Sequence, residues 1–119
     1  MADHPYPAEI DAHQFHQCDV RVARVTAASR HPKAAKPAII LTLDLGILGE
    51  RTSSAQITEL YRPEDLVGRL VLALVNVPPR RIAGVDSGAL VLGVYSSDGP
   101  VVLVGPDDKP GLRPGDRLG

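Results

Sequence analysis

Tryptophan is absent from this chain, and its only aromatics are Tyr6, Phe15, Tyr61 and Tyr95. So few rings exclude the stacking platform on which single-strand binders lay successive bases, whereas recognition of a folded RNA's shape and backbone needs fewer. Cys18 is the sole cysteine. An intrachain disulfide framework is therefore excluded, and with no Cys/His cluster at zinc spacing so is a structural zinc site. No apolar run approaches the ~20 residues of a membrane-spanning helix. Asp3, His4, Pro5 and Glu9 interrupt any signal-peptide pattern at the start. A reducing, cytoplasmic setting without membrane insertion is the expectation. A charge excess is also missing: 13 Lys and Arg stand against 14 Asp and Glu. That balance argues against coating nucleic acid by bulk attraction, so any nucleic-acid site must be local.

Catalytic signatures are lacking too. No nucleophile stands with a base, and no carboxylate pair or metal set occurs at a recognisable spacing. Cys18 precedes Asp19, an acidic neighbour that disfavours a thiolate. His4, His13, His16 and His31 are dispersed; His13 and His16 are one helical turn apart, a spacing that suits a solvated pair in an arm better than a metal site. The chain reads as a non-enzyme without a cofactor.

What is present is a pattern of short strands. At 119 residues the chain is long enough for one domain with its own core. Residues 1–18 are polar and read as an arm with a short helix from about Pro7 to His16; residues 19–119 form the domain proper. Val20 and Val22 share one parity while Val25 and Ala27 take the other, which predicts a bulge near Ala23 and a strand able to curl. Ile39, Leu41, Leu43 and Leu45 alternate with Ile40, Thr42 and Asp44, defining a strand with one clear inner face. Arg51 to Ile57 is a strand of small and hydroxylated residues. Pro63-Glu64-Asp65-Leu66 predicts a short helical turn, with proline and carboxylates at its start. Leu70 to Val77 is apolar on both parities and should be covered on both faces. Ala89 to Tyr95 and Val101 to Val104 complete the strands, and the tail from Pro106 is expected to form a final turn and edge. Many glycine and proline turns with one brief helical connection predict an all-β fold, a five-stranded Greek-key barrel of the OB type.

Two loops carry the candidate chemistry. Asn76-Val77-Pro78-Pro79-Arg80-Arg81-Ile82-Ala83-Gly84 follows an apolar strand with two prolines and two guanidiniums. Each proline fixes its own φ and biases its predecessor toward extended geometry. Arginines presented in this way suit phosphate, because the planar fork matches paired oxygens. His31-Pro32-Lys33-Ala34-Ala35-Lys36-Pro37 joins the first two strands and adds two ammonium groups and an imidazole, on a loop that rims the ligand face of an OB barrel. Ser53, Ser54 and Gln56 supply small polar groups. Taken singly, each of these segments also reads as a solvated turn or a polar edge strand.

Taken in order, Phe15-x-x-Cys18-Asp19-Val20-Arg21, His31-Pro32-x-Ala34-x-Lys36, Arg51-Thr52-Ser53-Ser54-Ala55-Gln56-Ile57, Tyr61-x-Pro63-Glu64-x-Leu66-Val67-Gly68 and Asn76-x-Pro78-Pro79-Arg80-Arg81-Ile82-Ala83-Gly84 resemble the structure-specific tRNA-binding domain family. That family includes the C-terminal domain of many methionyl-tRNA synthetases, and these strings are most similar to its stand-alone bacterial members. The resemblance implies an OB barrel and a homodimer built through N- and C-terminal extensions. It also implies tRNA binding and, for the stand-alone members, a chaperone role toward unfolded precursor peptides in protein export. An aminoacyl-tRNA synthetase is a further implied partner. Carried onto this chain, the RNA contacts are Lys33, Lys36, Arg51, Arg80 and Arg81 on phosphates, with Ser53, Ser54, Gln56, Asn76 and Ser87 as polar contacts. Asp86-Ser87-Gly88 departs from the family's usual Ser-Glu, placing glycine at the glutamate position, and Pro37 follows Lys36 where the synthetase pattern has no proline.

Overall fold

The computed structural model describes residues 6–119; the first five residues of the expected arm, His4 among them, lie outside the described residues. The helix of the arm, α1, is Ala12–His16. It is shorter than the expected span from Pro7 because Asp11 caps it: the Asp11 carboxylate accepts from the His13 amide, and Gln14 reaches back to the Asp11 amide.

Strand β1 runs Val20–Arg30, β2 Ile39–Asp44, β3 Glu50–Ala55, β4 Leu70–Leu74 and β7 Leu90–Val91. These five pair in the order β3-β2-β1-β4-β7, and β3 and β7 also touch, so the sheet nearly closes. Read around the circle, the order is that of an OB barrel. Its interior is the alternating face of β2, since Ile39, Leu41, Leu43 and Leu45 are wholly buried. Val25, Leu66, Val71 and Ala73 complete that core with Ala23, Ile57 and Leu103. The expected helical turn is a single 3-10 turn, Pro63–Asp65. Beside it the Tyr61 hydroxyl accepts from the Leu103 amide, and the Arg69 guanidinium lies over the Tyr61 ring.

Two expectations are corrected. The bulge is not at Ala23: β1 pairs regularly with β4 from Val20 to Arg24, and the extra residue is Thr26, between the Val25–Leu43 and Ala27–Thr42 pairs. The change of parity at Ala23 arises because β1 is covered on both sides there. Val20 and Val22 are buried outside the core, whereas Ala23 and Val25 are inside it. The strand expected over Ala89 to Tyr95 is broken in two. Its second part, β8 (Gly93–Tyr95), leaves β4 to form a hairpin with β9 (Val101–Leu103). Gly93 permits this crossing, since a Cβ there would lie 2.4 Å from a Val101 methyl.

The tail takes the place beside β1 that β2 has vacated. Val22 donates to Asp116 O, while the Gly115 and Leu118 amides donate to Val22 O and Val20 O. Asp19 then ties the ends together: its carboxylate pairs with Arg21 and with Arg117, and Arg117 also donates to His16 O. The Arg21 hydrogen bond holds the Asp19 carboxyl below the ordinary carboxylate range.

Candidate nucleic-acid interface

The proline-rich connection leads into a second hairpin, β5 (Arg80–Ile82) with β6 (Val85–Ser87), in which Arg80 faces Ser87 and Arg81 faces Asp86. Strand alternation sends the two adjacent guanidiniums to opposite faces of the hairpin. Arg81 Nη1 donates to Asp86 Oδ1 at 2.9 Å, with both side chains about two-thirds exposed. The Arg80 guanidinium has no hydrogen-bonding or ionic partner among the described residues, and neither do the side chains of Lys33, Lys36 and Gln56.

The turn closing this hairpin is Ala83-Gly84, with φ of 46° and 87°. Two successive positive φ values are the requirement of a two-residue hairpin turn whose twist matches its strands. Glycine adopts that conformation freely, but alanine does so at a cost of about 1–2 kcal/mol.

The hydroxylated character of β3 has its reason in the docking of this hairpin. Thr52 Oγ1 donates to Asp86 O, the Ser54 amide donates to Ser87 Oγ at 3.1 Å, and the Gly88 amide donates to Thr52 O. Ser53, on the alternate parity, is buried opposite Leu41. Small side chains let the hairpin backbone approach, and the Thr52 hydroxyl satisfies one of its carbonyls.

Arg51 and Asn76 are equally engaged. Arg51 Nη1 donates to Val75 O at 2.8 Å and Gly88 O at 3.2 Å, bridging the gap where the barrel fails to close. Asn76 accepts from the Asp19 amide and donates to Gln17 O, so its carboxamide clips the arm to the end of β4. At Gly88 a Cβ would meet the Arg51 side chain only at 3.7 Å. The backbone there leaves ordinary contact room for the side chain that this chain lacks.

His31 stands out among residues not assigned a contact from the sequence. It is 9 % exposed, and its Nε2 lies 2.8 Å from Ile82 O. Its Nδ1 accepts from the Lys33 and Ala34 amides, each at 3.1 Å. The ring thus joins the lysine loop to the arginine hairpin. The only sequence signal for it was its place at the head of the His31-Pro32 string; its partner is 51 residues away.

A nearly closed OB barrel whose rim brings two cation-bearing loops together defines an oligonucleotide-binding type of domain. The chain belongs to the family described as "Putative tRNA binding domain", which it matches over residues 20–114. It is similar to the crystal structure of the chaperone CsaA from Bacillus anthracis, with 42% identity and a TM-score of 0.83, over 94% of this chain and 100% of that one. It is also similar to the CsaA chaperone protein of Picrophilus torridus, with 39% identity and a TM-score of 0.84, over 93% of this chain and 100% of the other. Methionine--tRNA ligase 1 of Sorangium cellulosum shares 40% identity over 115 residues, which is 95% of this chain and 16% of the ligase. The chain therefore spans only about a sixth of that curated relative's length.

Proposed function

We propose that this chain is a non-catalytic tRNA-binding protein, with an arm at residues 1–18 and a barrel domain at 19–119, working in the cytoplasm. The observation that carries the reading is the rim itself. Lys33, Lys36 and Arg80 sit on two loops joined through His31, with no described anionic partner of their own. Phosphates supply what these cations lack. Arg80 offers its fork directly, and Arg81 exchanges Asp86 for phosphate on binding. Gln56 adds an amide beside them. Arg51, Ser53 and Ser54 lie on β3, Ser87 on the hairpin docked against it, and Asn76 at the end of β4. The side chains of Arg51, Asn76 and Ser87 are engaged with backbone groups, so the part we assign this set in RNA binding is to hold the frame that carries the rim.

The test is tRNA binding by fluorescence anisotropy across a salt series, with Arg80→Ala plus Arg81→Ala as the variant. Affinity should fall, and the slope of log K against log salt should flatten by about two phosphate equivalents per protomer. Unchanged affinity and slope would remove both arginines from the site.

A second reading is favoured by a separate surface. Leu90, Val94, Tyr95 and Val102 are exposed on β7 and the β8–β9 hairpin, with Tyr95 84% accessible. Val94 and Val102 stand opposite each other on one face of that hairpin, and such apolar surface suits a second copy of the chain, giving a homodimer in which two rims grip one folded RNA. It equally suits an extended precursor peptide, the chaperone role that the names of the CsaA structures suggest, or a docked synthetase. Adding an unfolded precursor peptide as competitor in the same titrations separates the two. Peptide binding that ignores salt, with negligible tRNA affinity, would make chaperoning the primary activity.

A further inference from the structure

The geometry points to His31 as the positioning residue of the rim: as the neutral ring protonated on Nε2, it locks the Lys33–Lys36 loop to the Arg80–Ile82 strand so that their cations meet an RNA backbone as one surface. This rests on the tRNA-binding reading above. The tautomer follows from the partners. Ile82 O can only accept, so Nε2 must carry hydrogen; the Lys33 and Ala34 amides can only donate, so Nδ1 must be bare. One tautomer satisfies both requirements. A second proton on Nδ1 would face two N–H groups, ending the loop's internal turn and with it the alignment of the ring on Ile82.

The hairpin needs such a hold. Ile82 immediately precedes Ala83, whose positive φ its own side chain disfavours. A conformation of this kind persists where surrounding contacts determine it, and the His31–Ile82 bond is the contact made from outside the hairpin next to that turn. Without it, two separate loops would each have to be ordered when RNA binds, a cost that preorganisation removes. The charged groups on the elements meeting at the ring are Arg30 at the end of β1, Lys33 and Lys36 on the loop, and Arg80, Arg81 and Asp86 on the hairpin; Ala38 and Ile39, leading into β2, carry none.

Two variants divide the ring's functions. His31→Asn retains an acceptor for the Lys33 and Ala34 amides but is too short for Ile82, whereas His31→Gln offers an N–H toward Ile82 and abandons the loop. In the free protein, 15N NMR should show a neutral Nε2–H ring at neutral pH. Both variants should bind total tRNA about tenfold more weakly than wild type, about 1.4 kcal/mol, with the amides of Lys33, Ala34 and Ala83 displaced from their wild-type positions. A charged ring or the Nδ1–H tautomer at neutral pH would overturn the assignment, as would wild-type affinity and unchanged hairpin amides in His31→Asn. A ring in the stated form with those amide displacements but no tRNA binding would overturn the RNA reading while confirming the lock.

Discussion

Two charged regions of this small barrel are built on opposite terms. Where the termini meet, cations are matched internally: Arg21 and Arg117 share Asp19, Arg117 also reaches His16 O, and Asn76 fastens the arm. At the rim, Lys33, Lys36 and Arg80 have no such partners among the described residues, and the only ion pair there is the exposed Arg81–Asp86 contact. Composition cannot distinguish the two regions, since both are mixtures of arginine and aspartate. The difference is in who supplies the counter-charge. The terminal region supplies its own, while Lys33, Lys36 and Arg80 find none among the described residues.

The contrast can be broken most severely at Asn76. Asn76→Ala removes two hydrogen bonds between the arm and the end of β4, and should cost about 1–2 kcal/mol in denaturant unfolding, given the exposure of the site. Hydrogen exchange should quicken at the Asp19 amide while the hairpin amides stay protected. A smaller effect of opposite sign is expected at the rim. Ala83→Gly relieves the positive φ but loosens the unfolded chain, for a net gain in stability of about 0.5 kcal/mol; destabilisation would mean that the Ala83 methyl makes a contact worth more than the strain. The smallest change sharpens the comparison best. Asp86→Asn deletes an exposed ion pair worth at most about 0.5 kcal/mol, so the midpoint of unfolding should barely move. Because it releases Arg81 and removes a carboxylate, tRNA affinity should rise about threefold at low salt and the gain should shrink as salt is added. A loss of affinity would mean that Asp86 orients Arg81 for the phosphate.

Much of the frame was legible because it is written in local periodicity. The alternation from Ile39 to Leu45 declares an inner face, and each of its four apolar residues is wholly buried. The short turn at Pro63 and the brevity of the strands are likewise local signals. What could not be read is partnership across distance. Nothing near Asn76 reveals that its amide serves Gln17 and Asp19, and nothing near Arg51 reveals the carbonyls of Val75 and Gly88. Adjacency in sequence likewise says nothing of direction: strand pairing sets Arg80 and Arg81 on opposite faces of their hairpin. The misplaced bulge has the same origin: parity registers burial, which at Val22 and Ala23 comes from both sides, whereas a bulge is a property of the ladder.

The length of β1 has a mechanical consequence. The strand begins at Val20, where the tail lies against it, and ends at Arg30, next to His31. It acts as a strut with a knee at Thr26, spanning no more than about 35 Å. It therefore sets the distance from the tail's docking place to the His31 end, and the knee cannot be moved at will: shifting it by one residue would turn Val25 out of the core.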